Sequence, residues 1–261
     1  MKRSFTAIGL MMFVSATAFG APAARKVLIL HDELPQMKVL AKRLEAEGYG
    51  VDLVATKEKL PALDGYRAVV VYVHGLFTPE QAEAVVRYTH AGGRTIALHH
   101  SISSKKRETP LWLKFLGIDL PEPLRDAKKG GYAWQHDVNL RLVNLAPDHY
   151  ITTNKIPYEG KTDHRRSDTD EPSRPRTYVD FPDSEAFLNH QFTDGKAKTV
   201  LYGFVCHHPD LGDKTWMQDR AGWLKEAGKG WVFYFMPGHT VQDLEKPFYQ
   251  QIILNCLTWR P

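Results

Sequence analysis

The sequence predicts a doubly wound α/β sandwich on a mostly parallel sheet, of the flavodoxin-like three-layer kind. Three observations predict it: β-branched runs without a polar face, helical repeats between them, and turn residues at the junctions. Lys26-Val-Leu-Ile-Leu30 is the first run, and a helical pattern over 35–47 follows with Leu40 and Leu44 on one face. Residues 50–55 give a second strand. The third, over 68–73, reads AVVVYV with no polar side, as a parallel strand covered on both faces requires. A helix is expected over 78–90, capped by Thr78, with Pro79 in its first turn and Gly92-Gly93 beyond its end. Thr95-Ile-Ala-Leu98 is the fourth strand, joined by crossovers expected to be right-handed.

After a short helix over 112–116 the pattern loosens, and 121–175 reads as insertions with one hairpin near 134–143. Order returns with strands over 198–205, 221–225 and 231–236, a turn Ala227-Gly-Lys-Gly230, and an amphipathic helix over 248–259. Without an internal repeat or a second core, residues 21–261 read as one domain.

Residues 1–20 read as a secretory signal: Lys2 and Arg3, an apolar stretch over 8–14, and Ala18-Phe19-Gly20 before Ala21. A periplasmic or secreted protein is therefore expected, soluble once the segment is removed. The apolar stretch is too short to span a hydrocarbon core of about 30 Å. Retention as an uncleaved anchor is the alternative, and a lipoprotein is disfavoured because no cysteine follows. The formal charge of +4 falls to +2 without Lys2 and Arg3, which argues against nucleic acid or anionic membrane as partners. The dense run over 161–176 mixes both signs with two prolines and reads as a solvated loop. Two cysteines, Cys206 and Cys256, are too few for a disulfide scaffold; one bridge or two buried thiols both fit. A small-molecule ligand is the expected partner, and a homo-oligomer is compatible with the sequence.

Ligands of open α/β sheets bind beyond the carboxyl ends of the strands. The residues that follow the strands are His31-Asp32-Glu33, His74-Gly75, His99-His100-Ser101, His207-His208-Pro-Asp210 and Gly238-His239, so seven of twelve histidines sit at strand ends. If the strands at 200–205 and 231–236 flank 221–225 in a meander, His207 and His239 share an edge. Any one such histidine reads equally well as a packed loop residue; the recurrence over five strands points to a site. Imidazoles bind metal and titrate near neutrality, so the group serves either a divalent ion such as zinc or metal-free acid–base chemistry. No H-x-x-x-H or H-E-x-x-H spacing selects between them. Catalytic roles fall to His99, His100 and His239. A metal falls to His99, His239 and His207. Substrate contacts fall to His31, Glu33, His74 and His207, and to Trp112 and Trp216 as stacking surfaces for a sugar ring. Ser101 lacks the small neighbours of a nucleophile elbow, and Cys206 reads as a buried apolar-type residue.

Residues 221–234, Ala-Gly-Trp-Leu-Lys-Glu-Ala-Gly-Lys-Gly-Trp-Val-Phe-Tyr, then Met-Pro-Gly-His239 and a final helix ending Asn255-Cys-Leu-Thr-Trp259, resemble the W-x-x-x-x-G-K-G-x-V-F-Y…G-H…W pattern of the ThuA-like (trehalose utilisation) family. Leu76-Phe-Thr-Pro-Glu-Gln81 leading to Gly92-Gly-Arg-Thr-Ile-Ala-Leu-His99 is similar to another segment of that family. The resemblance spans most of 26–260 and carries over His31, His99, Trp112, Trp223, Gly230 and His239 by motif position, with His100 as a neighbour; residues 120–195 depart from it. It implies a fold similar to class I glutamine amidotransferases. The nucleophilic cysteine of those enzymes is replaced here by His99-His100, and His239-Thr240-Val241 stands where a His-x-Glu pair would, so amidotransferase activity is excluded.

The resemblance also implies carbohydrate metabolism linked to disaccharides and their 3-keto derivatives. The expected function is an exported enzyme processing a (3-keto-)glycoside or related sugar through histidine acid–base chemistry, with or without the assistance of a metal. A non-catalytic carbohydrate-binding or scaffolding domain is one rival reading, and a metal-dependent hydrolase of another small molecule is the other.

Overall fold

The computed structural model describes residues 25–195, 197–212 and 215–261; the signal expected over 1–20 lies outside them. In chain order the elements are β1 (Lys26–His31), α1 (Leu34–Ala46), β2 (Gly50–Ala55), β3 (Ala68–Tyr72), α2 (Pro79–His90), β4 (Arg94–Leu98), α3 (Pro110–Leu116), β5 (Ile118–Asp119) and β6 (Ala133–Asn144). Then follow α4 (Tyr150–Thr153), β7 (Gly160–His164), β8 (Arg174–Leu188), β9 (Gln191–Phe192), β10 (Lys198–Cys206), β11 (Trp216–Ala227), β12 (Gly230–Phe235), α5 (Val241–Glu245) and α6 (Pro247–Thr258).

One ten-stranded sheet runs β2-β1-β3-β4-β12-β11-β10-β6-β8-β7. Strands β2, β1, β3, β4 and β12 are parallel, in the 2-1-3-4-5 order of flavodoxin-like folds with β12 in the fifth place. Every residue of β3 is buried, as its continuous apolar sequence requires. Helix α2 starts where expected: Thr78 accepts from the Gln81 backbone N–H, and the Gln81 side chain accepts from the Thr78 N–H.

Beyond β12 the sheet turns antiparallel through β11, β10, β6, β8 and β7. The meander of β10, β11 and β12 therefore forms as anticipated, with β11 longer than the 221–225 segment. The sheet is thus mixed, a parallel half continued by an antiparallel one. The middle of the chain is not a set of loop insertions. It supplies the twelve-residue β6 and the fifteen-residue β8, paired with bulges near Gln135 to Leu140. Bulges and alternate exposed positions break the period-two signal, which hides such strands from a reading by periodicity.

A continuous apolar core includes both halves. Cys206 and Cys256 are buried free thiols, and burial pushes each up to about 12. No helix among the described residues is long and apolar enough to cross a membrane.

Candidate active site

The strand polarity gathers side chains from β1, β3, β4 and β12 at one rim, where the β1/β3 switch point lies. Glu33 follows β1, His74 follows β3, His99 and His100 open a 3-10 turn directly after β4, and His239 follows β12. The β6–β8 ribbon folds over this rim. Cross-strand neighbours Trp134 and Phe187, with Glu185 and His136 two residues along, line the same cavity of about 270 Å³ as Glu33, His74, His100 and His239.

At its centre, Glu185 Oε2 lies 2.9 Å from His99 Nε2, 3.3 Å from His239 Nδ1 and 3.4 Å from His100 Nε2. His99 Nε2 and His239 Nδ1 are 3.3 Å apart. Glu185 Oε1 lies 3.5 Å from His136 Nδ1. These spacings compare with about 3.4 Å between neighbouring donors of a tetrahedral zinc ion, given Zn–N of about 2.0–2.1 Å.

The protonation pattern points the same way. His99 Nδ1 faces the Met236 carbonyl at 2.6 Å and must donate to it, since a carbonyl only accepts. Burial, with the neighbouring His100 charge, lowers His99 to about 4, so its ring is neutral at pH 7 and Nε2 carries a lone pair. That lone pair confronts the Glu185 carboxylate, whose Oε2 is buried without a hydrogen bond of proper geometry. Two acceptors 2.9 Å apart call for a cation between them. His99, His100, Glu185 and His239 together form a four-donor group able to hold one.

His100 is flanked by two carboxylates, with Glu33 Oε2 3.1 Å from its Nδ1 and Glu185 at its Nε2. Burial alone would lower its pKa; the carboxylates of Glu185 and Glu33 beside it raise it. Burial would raise the Glu185 carboxyl, but His100 above all holds it far below the usual carboxylate range, and Glu33 is depressed likewise by His100 and His74. The His74 ring stacks on His100 with centroids 4.3 Å apart, and its Nδ1 is 3.5 Å from Glu33 Oε1. The loop bearing His74 is fixed from both sides. Asp32 accepts from the His74 and Gly75 N–H groups, and the buried Lys106 ammonium donates to the carbonyls of Val73, His74 and Gly75.

Of the residues singled out from the sequence, His99, His100, His239, Glu33 and His74 come together. The others do not. His207 lines a separate open groove of about 690 Å³ with Arg141, Asp180 and Lys246, so it is neither a ligand nor a substrate contact of this cavity. The meander does place it on the same sheet edge as His239, but the mixed sheet puts β11 between their strands. Trp112 is fully buried against Phe77 and Phe115 and donates to the Ser101 carbonyl, which makes it a core residue rather than a sugar platform. Trp216 is half-buried, bonded to the Leu211 carbonyl, and lies outside the cavity lining. His31 is buried at the end of β1, also away from the lining, with its pKa lowered by burial.

Glu185, His136, Trp134 and Phe187 escaped sequence reading because they lie on strands with no legible period. The one available signal was a glutamate and aromatics alternating at Glu185 and Phe187, too common to select.

The chain matches the family model ThuA, described as trehalose utilisation, over residues 25–260. No curated protein matches it. Among solved structures, it is similar to a ThuA-like protein from Bacteroides uniformis, with 18% identity, TM-score 0.58, and coverage of 93% of this chain and 94% of that one. A cytoplasmic protein from Salmonella typhimurium matches with 14% identity, TM-score 0.56, and coverage of 89% and 98%. A protein titled a novel carbohydrate deacetylase matches with 14% identity and TM-score 0.52, over 89% of this chain but 32% of that one. At these identities the likenesses concern the fold. The family match, which spans the parallel half, the β6–β8 ribbon and the histidine rim alike, shows that the chain belongs to the ThuA family, and so to a family of carbohydrate metabolism.

Proposed function

We propose that the protein is an exported enzyme that processes a glycoside or keto-glycoside by acid–base chemistry at one divalent metal, zinc by donor type, held by His99, His239 and Glu185. The observation that carries this reading is the triangle of their donor atoms, 2.9, 3.3 and 3.3 Å on its sides, around a neutral imidazole lone pair set against a carboxylate. Two histidines and one glutamate are a donor set used in catalytic zinc sites, where the fourth position stays open. When bound, such an ion polarises a substrate oxygen or acidifies a water.

The chain's own residues supply the rest. Met236 O fixes the tautomer of His99, and Glu33 orients His100, as outer partners of metal-bound imidazoles do. His100, held between two carboxylates that raise its pKa, is placed to carry a proton and to give it to a leaving oxygen. Trp134 and Phe187 offer apolar surface to a sugar ring in the cavity of about 270 Å³.

Trp112 and Trp216, the stacking surfaces expected from the sequence, do not line the cavity, whereas Glu185, His100 and His239 do, which favours a catalytic role over binding alone. The test is elemental analysis of the purified protein together with turnover of 3-keto-glucosides. About one zinc per chain, and turnover abolished in folded His99→Ala and His239→Ala variants, are expected. Full turnover in both variants would overturn the reading. Export is tested separately: cell fractionation should find the protein outside the cytoplasm, and deletion of residues 2–20 should leave it in the cytoplasm.

A further inference from the structure

We infer that Asp243 is a positioning residue that sets the distance between two of the proposed metal ligands, Glu185 and His239; the inference rests on the metal reading above. Asp243 is buried in the first turn of α5, and a single oxygen, Oδ2, gathers three donors. It accepts from the His239 N–H at 2.9 Å, the Thr240 N–H at 3.3 Å and the Ser184 hydroxyl at 2.7 Å. Ser184 directly precedes Glu185 on β8, whereas His239 lies on the loop after β12. One carboxylate thus ties the ribbon that brings Glu185 to the loop that brings His239.

Helix capping alone does not account for this arrangement. The reciprocal bonds between Thr240 and Asp243 complete a capping box, and neither the Ser184 hydroxyl nor the His239 N–H takes part in it. The same loop is gripped at its other polar atoms from elsewhere. Met236 O accepts from His99, Gly238 O from the Tyr72 hydroxyl at 2.8 Å, and His239 O from Gln36. Those bonds anchor the loop to the parallel half of the fold. The Asp243–Ser184 bond adds the link to the antiparallel ribbon. Outer-sphere partners that orient ligands typically contribute 10–100-fold to metal affinity.

The experiment measures Co²⁺ affinity by chelator competition, the Co²⁺ absorption spectrum, and the melting temperature of the metal-free protein, in wild type, Ser184→Ala, Asp243→Ala and Asp243→Asn. Ser184→Ala and Asp243→Ala should weaken Co²⁺ binding by about 10–100-fold and alter the spectrum. Ser184→Ala should leave the metal-free melting temperature near that of wild type. Asp243→Asn should recover much of the affinity, because its side-chain oxygen accepts the same N–H and O–H groups. If Asp243→Ala does not fold, Ser184→Ala decides. Wild-type Co²⁺ affinity in the folded alanine variants overturns the positioning role and leaves the metal site standing. A wild-type protein that takes up no Co²⁺ overturns the metal site and this inference together.

Discussion

Glu185, carried by a strand from the middle of the chain, places Oε2 2.9 Å from Nε2 of His99 at the end of β4, although the two are separated by 86 positions in sequence (185 − 99). With His99 Nδ1 donating to Met236 O, the facing atoms are both acceptors. Glu185→Gln should therefore remove the carboxylate from the proposed donor set while keeping its shape. Metal content by elemental analysis should fall from about one per chain to well below it, with the far-ultraviolet circular dichroism spectrum unchanged. Retention of a full equivalent would count against Glu185 as a ligand.

Trp134 and Trp112 should separate function from packing. Trp134 lines the cavity with the Arg125 guanidinium 4.7 Å from its ring centroid. Its replacement by Ala should weaken sugar binding by about 1 kcal/mol, roughly fivefold, with metal content unaltered. Trp112→Ala empties a sealed core position and should cost about 3–5 kcal/mol of stability. Urea denaturation and a sugar titration on both variants check the contrast.

His190 gives a pH prediction with a definite sign. Both of its ring nitrogens are buried without partners, and burial first, then the charge of Arg220, lower its pKa to about 3. The unfolded chain binds a proton on this ring below its ordinary value of 6.5, while the folded chain does so only below about 3. Stability is therefore intact above pH 6.5 and falls as the pH drops through this window, by about 1.4 kcal/mol per pH unit from this residue. In His190→Leu the slope of unfolding free energy against pH between 6.5 and 5 should be shallower by that amount. An unchanged slope would show that the ring gains a proton in the folded state.

Gly230 tests why the Gly-Lys-Gly turn has its composition. A Cβ there would stand 2.1 Å from the carbonyl oxygens of Gly93 and Thr89, both backbone and unable to yield cheaply, and Gly228 two residues earlier has φ of +62°. Gly230→Ala should destabilise the fold by about 1–3 kcal/mol through overpacking. A calorimetric melting temperature within error of wild type would contradict this close approach.

The local sequence determined much of the parallel half. The apolar runs of β1, β3 and β4, the Thr78 cap and the histidines after each strand are consequences of neighbouring residues, so they were legible without a structure. That His99, His100, His239, Glu33 and His74 share a rim followed from strand polarity, which parallel pairing imposes on every strand alike. Only the tertiary structure decided that β6 and β8 fold over that rim, delivering Glu185, His136 and Trp134, and that His207 and Trp112 are excluded. The reason is physical. Strand polarity is a local property repeated along the chain, whereas the position of a bulged antiparallel ribbon depends on long-range pairing and on bonds such as Ser184 to Asp243, 59 positions apart, that no short window of sequence encodes.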